Sequence, residues 1–318
     1  MKLPDYDQLP IRKGAPPGSA WGVFGDDDEL GTLNLLTPQR VREATAEVRS
    51  GRCFSLDLPL NLPDPPIVPR TPYRHTVKGM PGYGDLLDDT IDNLNTQSSS
   101  QWDALAHFRH ASFGLYNGFP DHQVAGRGGS KLGIDRIARK VVAGRGVLLD
   151  VGRYYERRNI AFDYSKALTV PLSDLKATLA EQRTEIKAGD ILLIRLGWLK
   201  YYLSADPEVR RGYGLKARLP GIETSVDVVR WLWNAHIAAI ATDTPALEAA
   251  PKHGAERDRE TLHAHLLVYL GMPIGELWDM EDLSEACADD GHYTFFLCSV
   301  PLKLPGGVGS PPNAVAIK

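Results

Sequence analysis

A mixed α/β fold is what this sequence predicts, and three observations carry that reading. Six short apolar, β-branched runs are spread along the chain, several of them apolar at every position rather than at alternate ones, as in strands covered on both faces. Helical patterns separate some of these runs and not others, so a sheet of mixed direction fits better than a doubly wound one. Thirty glycines and 23 prolines are distributed over all 318 residues instead of gathering in a linker. Many turns within one body, and one domain over 1–318, follow from that.

Taken in chain order, residues 1–36 read as an irregular N-terminal arm. Thr37 and Pro38 then open a helix as N-cap and first helical residue, with Gly51 as its end. The strand candidates are 53–60, 147–151, 191–196, 237–241, 295–300 and 314–317. Between them, a helix is expected over 174–183 behind Ser173, another over 225–234 with Val226, Val229, Leu232 and Trp233 at helical spacing, and a third over 260–270. Segments 53–60 and 295–317 read as meanders, and no repeat period is present.

Composition narrows the function. A formal charge of −4 supplies no basic field for nucleic acid. No apolar run approaches membrane-spanning length, and the prolines of MKLPDYDQLPIRKGAPPG interrupt any leader-like pattern, so a cytoplasmic protein without a membrane partner is expected. Three cysteines, Cys53, Cys287 and Cys298, lack C-x-x-C spacing and read as free thiols. The glycine-rich GRGGSKLGIDRI carries Lys131 where a dinucleotide fingerprint needs its last glycine, and no P-loop or G-x-S-x-G elbow occurs.

Chemistry concentrates in three places. In NTQSSSQWDALAHFRH, an extended segment puts Gln101 and Asp103 on one face and Trp102 on the other, while His107 and His110 share a face of any helical turn that follows. Two readings fit that stretch: a metal site assembled from a strand and the turn leaving it, or a turn capped by Asp103 with structural histidines. In LHAHLLVYLGMPIGELWD, His263 shares a helical stripe with Leu266, Leu267 and Leu270, and Glu276 re-enters after Gly271, Pro273 and Gly275. That pair too reads either as metal-ligating or as structural. In ATDTPAL, Asp243 closes an apolar strand before a proline, as a functional group or as a turn-former.

Together these segments resemble the cyclase family of metal-dependent hydrolases, which includes bacterial kynurenine formamidase and isatin hydrolase. The family signature H-x-G-T-H-x-D-x-P-x-H aligns its aspartate with Asp103 and its last histidine with His107. Its two earlier histidines fall on Gln97 and Gln101, its Gly-Thr pair on Ser99 and Ser100, and its proline on Leu105. The Gln-Trp-Asp wording, together with GDILLIRLGW, GMPIGE, DELGTLNLLTP and GSP, resembles one branch of that family over nearly the whole chain.

The resemblance implies a swivelling β/β/α fold and a one-metal site. Gln101, Asp103, His263 and Glu276 are the ligands it implies, His107 the general acid/base, and Gln97, His110 and Asp243 additional or adjoining groups. Neutral amide oxygens shift such a site toward oxygen-rich ligation, so Mn²⁺ is as suitable as Zn²⁺. Trp102, Phe108 and Phe113 are candidates for the wall of an aromatic-sized pocket. The expected function is hydrolysis of a small amide, lactone or related cyclic carbonyl compound by metal-activated water. The alternatives are lyase or cyclase chemistry in the same site, and a non-catalytic ligand-binding protein that has lost its metal. The partner is a small-molecule substrate, and a homodimer or homotetramer is expected, with the N-terminal arm wrapping a second subunit or packing on its own chain.

Overall fold

A computed structural model describes residues 3–67, 70–213, 218–250 and 261–318. Thirteen strands form among them: β1 Cys53–Ser55, β2 Arg74–Gly79, β3 Leu87–Asp92, β4 Gln101–Asp103, β5 Val142–Asp150, β6 Thr169–Val170, β7 Ile191–Arg195, β8 Gly221–Ile222, β9 Ala239–Thr242, β10 Ile274–Glu276, β11 Thr294–Ser299, β12 Gly309–Ser310 and β13 Ala314–Ile317. Nine of them build one sheet in the order β1-β13-β11-β5-β7-β9-β10-β4-β12. Its middle is parallel, β5 to β7 to β9 to β10, and both flanks are antiparallel. This is the mixed α/β sheet expected from the unbroken apolar runs. All of Ile191–Ile194 and Ala239–Ala241 are fully buried, because helices cover the parallel strands on both sides.

Eight α-helices accompany the sheet among the described residues: α1 Pro38–Ala44, α2 Ile134–Lys140, α3 Val151–Arg158, α4 Leu172–Glu181, α5 Trp198–Ser204, α6 Pro207–Arg211, α7 Val226–Asn234 and α8 Glu281–Asp290. A seven-residue π-helix, Ala264–Leu270, carries the chain toward β10. Thr37 caps α1 by accepting from Arg40 N–H, and Ser225 caps α7 by accepting from Val228 N–H. No helix of the described residues is long and apolar enough to cross a membrane.

Several expectations need correction. The helix opened by Thr37 stops at Ala44 rather than at Gly51, and a 3₁₀ turn, Thr45–Glu47, follows. Thr45 Oγ1 bonds back to the carbonyl of Arg42 at 2.7 Å, a local alternative to the helical ladder. Ser173 is not a cap: α4 starts one residue earlier, with Pro171 at the N-cap position. The first strand ends at Ser55 rather than residue 60. Beyond it Asp57 turns to accept the N–H groups of Asn313 and Ala314, and Leu58 N–H goes to Ser100 Oγ, so side chains take over from the ladder. Residue 260, the expected start of the third helix, lies outside the described residues.

Residues 3–36 pack on the rest of the chain. Tyr6 N–H donates to Asn234 Oδ1 at 2.8 Å, Trp21 Nε1 to the Val268 carbonyl at 2.7 Å, and Thr32 Oγ1 to the Ala238 carbonyl at 2.7 Å. Two 3₁₀ turns, Tyr6–Gln8 and Gly31–Leu35, organise the segment, and Leu33 is fully buried.

This packing brings Gly31 against Gly271, the left-handed residue that ends the π-helix. A Cβ on Gly31, itself at φ +55°, would sit 1.8 Å from the Gly271 carbonyl oxygen. Only glycine meets both demands. Gly31→Ala is therefore expected to destabilise the chain by about 3 kcal/mol, read as a lowered midpoint in urea unfolding; an unchanged midpoint would show that the two backbones can separate without cost.

Candidate metal centre

The centre forms where β4 runs between β10 and β12. Antiparallel register places Gln101 opposite Glu276, Trp102 opposite Gly275 and Asp103 opposite both Ile274 and Gly309. The alternation of a strand then turns Gln101 and Asp103 one way and Trp102 the other. Trp102 is fully buried, edge-on to Trp278 and donating to Ser299 Oγ, so its indole belongs to the core rather than to a pocket wall.

The serine triplet that precedes β4 ties neighbouring backbone together. Ser98 Oγ donates to the Asn95 carbonyl, Ser99 Oγ to the Pro59 carbonyl and Ser100 Oγ to the Leu277 carbonyl, while Ser100 Oγ also accepts from Leu58 N–H. Larger side chains would hold these crossing segments apart.

Four charged or ionisable groups converge on the face of β4 that carries Asp103. His263, the residue leading into the π-helix, directs Nε2 toward Glu276 Oε1 at 3.2 Å and Asp103 Oδ2 at 3.8 Å. His107 Nδ1 lies 3.8 Å from Asp103 Oδ1. Asp103, His107 and His263 each offer a donor atom within 4.8 Å of the others, the spacing a single ion needs. Asp103 Oδ2 and Glu276 Oε1 are buried without a hydrogen-bond partner. Two orphaned carboxylate oxygens around an imidazole nitrogen make a donor set that fits a divalent ion.

Two residues that sequence reasoning missed complete the centre. Glu248 Oε2 lies 2.8 Å from His263 Nδ1, the carboxylate–histidine arrangement that turns the opposite ring nitrogen toward a metal. Gly221 makes room for it, since a Cβ there would sit 2.3 Å from the Glu248 backbone carbon. Arg70 Nη1 donates to the Gln97 carbonyl and stands 3.5 Å from Gln101 Oε1. The only signal for Glu248 was its place five residues after Asp243 in the same run, and Arg70 sits in a proline-rich stretch without pattern.

Both glutamines act as braces here. Gln97 Nε2 donates to Asp103 Oδ1 at 2.5 Å and lies 3.0 Å from His107 Nδ1, and Gln101 Nε2 donates to Glu276 Oε2 at 2.7 Å. Asp103 settles the orientation of the Gln97 amide, because turning it over would press its oxygen against a carboxylate. His107 Nδ1 is consequently an acceptor, and in the neutral ring the proton sits on Nε2.

Charge follows from this packing. Burial alone would lower the pKa of His263, but the charge and hydrogen bond of Glu248, with the carboxylates of Asp103 and Glu276 beside Nε2, raise it well above its ordinary value. Burial raises the Glu276 carboxyl to about 6, helped by the charge of Asp103. Burial acts on Asp103 in the same sense, and His107, His263 and Arg70 overcome it, holding that carboxyl below its ordinary value. His107 is lowered by burial, against the pull of Asp103, and is neutral at pH 7.

The remaining expected residues are distributed around this centre. Phe108 packs its ring 6.1 Å from that of His263 and borders the cluster. His110 accepts the N–H groups of Ser112 and Phe113 through Nδ1 in a tight turn, and Phe113, 42% exposed, stacks on it. Asp243 accepts from the N–H groups of Leu196, Gly197 and Leu199, fastening the end of β9 to the start of α5.

Comparison with known proteins follows the same lines. The sequence model of the cyclase family matches residues 55–249. A crystal structure described as that of a novel cyclase is 35% identical, with a TM-score of 0.82, covering 94% of this chain and 99% of its own. Isatin hydrolase A from Labrenzia aggregata, bound to benzyl benzoate, is 18% identical with a TM-score of 0.57, covering 83% of this chain and 93% of its own. Isatin hydrolase A from Ralstonia solanacearum is 16% identical with a TM-score of 0.53, covering 83% and 91%. At those identities the likeness to isatin hydrolases is one of fold. No curated protein sequence matches the chain.

Because the pKa of His263 is raised in the metal-free fold, its stabilising contribution is complete below the ordinary imidazole value of 6.5 and is lost as pH rises through the raised value. In the presence of chelator, the stability gap between wild type and His263→Gln should therefore shrink as pH rises above the ordinary imidazole value of 6.5. In a Glu248→Gln background the shrinkage should occur at lower pH. Thermal unfolding midpoints across that range check both, and a gap that widens with pH would contradict the assignment of charge.

Proposed function

The chain belongs to the cyclase family, and from that premise we propose that it is a metal-dependent hydrolase opening a small amide, lactone or related cyclic carbonyl compound. The observation that supports this reading is the pair of buried, unpartnered carboxylate oxygens, Asp103 Oδ2 and Glu276 Oε1, facing Nε2 of His263. Asp103, His263 and Glu276 are the residues that would hold the ion. When bound, a divalent ion supplies Lewis acidity, polarising a carbonyl and lowering the pKa of water.

The protein's own groups do the rest. Glu248 holds the His263 ring so that Nε2 faces both carboxylates. Gln101 and Gln97 each donate to one oxygen of Glu276 and Asp103, which leaves the other oxygen of each for the ion. Amide-braced carboxylates with one imidazole form an oxygen-rich set, which suits Mn²⁺ as well as Zn²⁺.

His107 is the proton-transfer group. Its side chain is 27% exposed, against 13% for His263 and none for Asp103, so it is the member of the cluster open to a ligand. Burial keeps the ring neutral, so that it can take a proton from the attacking water and then, as imidazolium, release one to the departing nitrogen or oxygen, with Gln97 directing Nε2–H outward. Phe108, packed against His263, lends the same side of the centre an apolar surface. Zinc or manganese is the proposed cofactor, and a small molecule the proposed substrate.

Assays on a panel of lactones and N-acyl anilines test this. Chelation is expected to abolish turnover and metal add-back to restore it, and product formed in ¹⁸O-water should carry solvent oxygen in its new carboxylate, which a lyase or cyclase product would not. His107→Ala should lower kcat by about a hundredfold or more while manganese affinity, measured by calorimetry, stays within a few fold of wild type. Turnover indifferent to metal would overturn the reading, and a variant that loses metal instead of rate would make His107 a ligand.

A further inference from the structure

A permanent cation stands in the same centre, connected to it through both glutamines. Arg70 Nη1 donates to the Gln97 carbonyl and approaches Gln101 Oε1 at 3.5 Å. The side chains of those two residues go on to Asp103 Oδ1 at 2.5 Å and Glu276 Oε2 at 2.7 Å. One guanidinium nitrogen is thus held by the backbone of Gln97 and the side-chain amide of Gln101 beside both carboxylates; burial lowers the Arg70 pKa, and the charges of Glu276 and Asp103 oppose that.

Only Nη1 is used. Among the described residues Nε and Nη2 of Arg70 have no hydrogen-bond partner, and the side chain is half-buried rather than sealed. Nε and Nη2 form the side-on fork that receives a carboxylate through two parallel bonds. Pro66, Pro72 and Tyr73, neighbours of Arg70 in the chain, line a pocket of about 320 Å³ together with Asp64, His75 and Ser98, and Arg70 itself is not among its walls. Ligand-sized space therefore borders the segment that carries the guanidinium.

The balance of charge points the same way. Asp103, Glu248 and Glu276, ionised, bring three negative charges to the centre. A divalent ion beside a neutral His263 leaves that set one charge short of neutrality, and Arg70 supplies the difference. Without it the loaded centre would repel an anion.

We propose that Arg70 is a specificity-determining residue of this centre, selecting amides or lactones that bear a carboxylate near the scissile bond. This rests on the hydrolase reading above. A substrate carboxylate is favoured over the one released by hydrolysis, because a clamp for the product alone would slow its departure and impede turnover.

Calorimetric titration of benzoate and of its neutral counterpart benzamide into manganese-loaded protein tests the inference. Wild type is expected to prefer benzoate, and Arg70→Gln to bind benzoate about tenfold more weakly with benzamide affinity unchanged. Arg70→Lys, which keeps the charge but not the fork, should lie between. Manganese itself should bind Arg70→Gln more tightly, since a like charge has been removed; this separates loss of recognition from loss of fold. Benzoate affinity unchanged in Arg70→Gln, equal loss of benzoate and benzamide, or weaker manganese binding would each overturn the proposal while leaving the hydrolase reading in place. If neither manganese nor zinc binds wild type, the hydrolase reading falls. The same tenfold criterion then decides the role of Arg70 on metal-free protein.

Discussion

Three carboxylates buried around one imidazole are the constraint on which the rest of this structure depends. Asp103, Glu248 and Glu276 are all less than a tenth exposed, and all face His263. Carboxylates removed from water need positive charge or hydrogen-bond donors close by, or they protonate. Each feature of the centre answers that need. His263 is held as a cation in the metal-free fold, both glutamines present amide N–H groups to carboxylate oxygens, and Arg70 adds a charge that cannot be titrated away. The two oxygens left over, on Asp103 and Glu276, mark where an ion would complete the balance.

Holding that arrangement is the task of the sheet and of a few close backbone approaches. Asp103 and Glu276 come from adjacent antiparallel strands, β4 and β10, so their separation is set by ladder spacing and not by a mobile loop. Gly275 keeps β10 close to β9, where a Cβ would meet the Cβ of Ala241 at 2.7 Å. On the other edge Gly309 leaves room for the Gln97 side chain, 2.6 Å from where its Cβ would be. Further back, the ion network of Arg195 with Asp150 and Glu281 and the Asp243 carboxylate fix the ends of β5, β7 and β9. The parallel strands thereby become a rigid floor under the centre.

What could be read beforehand divides along physical lines. The strands β5, β7 and β9 were legible because burial on both faces leaves continuous apolar runs, and α7 because its cap and its apolar stripe agree. β2 and β3 were not anticipated. They pair only with each other and are exposed along almost their whole length, so no alternation of burial is written into Arg74–Gly79 or Leu87–Asp92. In the centre, Asp103, His107, His263 and Glu276 stood out by residue type and spacing, and the structure brings these four together. Glu248 and Arg70 reach it from turns and loops at long sequence separation, where position is decided by tertiary packing. Trp102 could be assigned a strand face from the sequence, but not that its face was the packed one.

The glutamines show most clearly how the geometry alters the reading of the sequence. At two positions where imidazoles would offer lone pairs to an ion, Gln97 and Gln101 offer N–H groups to the carboxylates instead. An amide both donates and accepts, so each can brace a ligand on one side and receive a guanidinium on the other, as Gln101 does between Glu276 and Arg70. An imidazole cannot do both unless its tautomer is fixed, and a charged one would repel Arg70. In this chain the two glutamines and the arginine form one connected group. An ion held here would meet few nitrogen donors and amide-braced carboxylates, with the Arg70 cation close by.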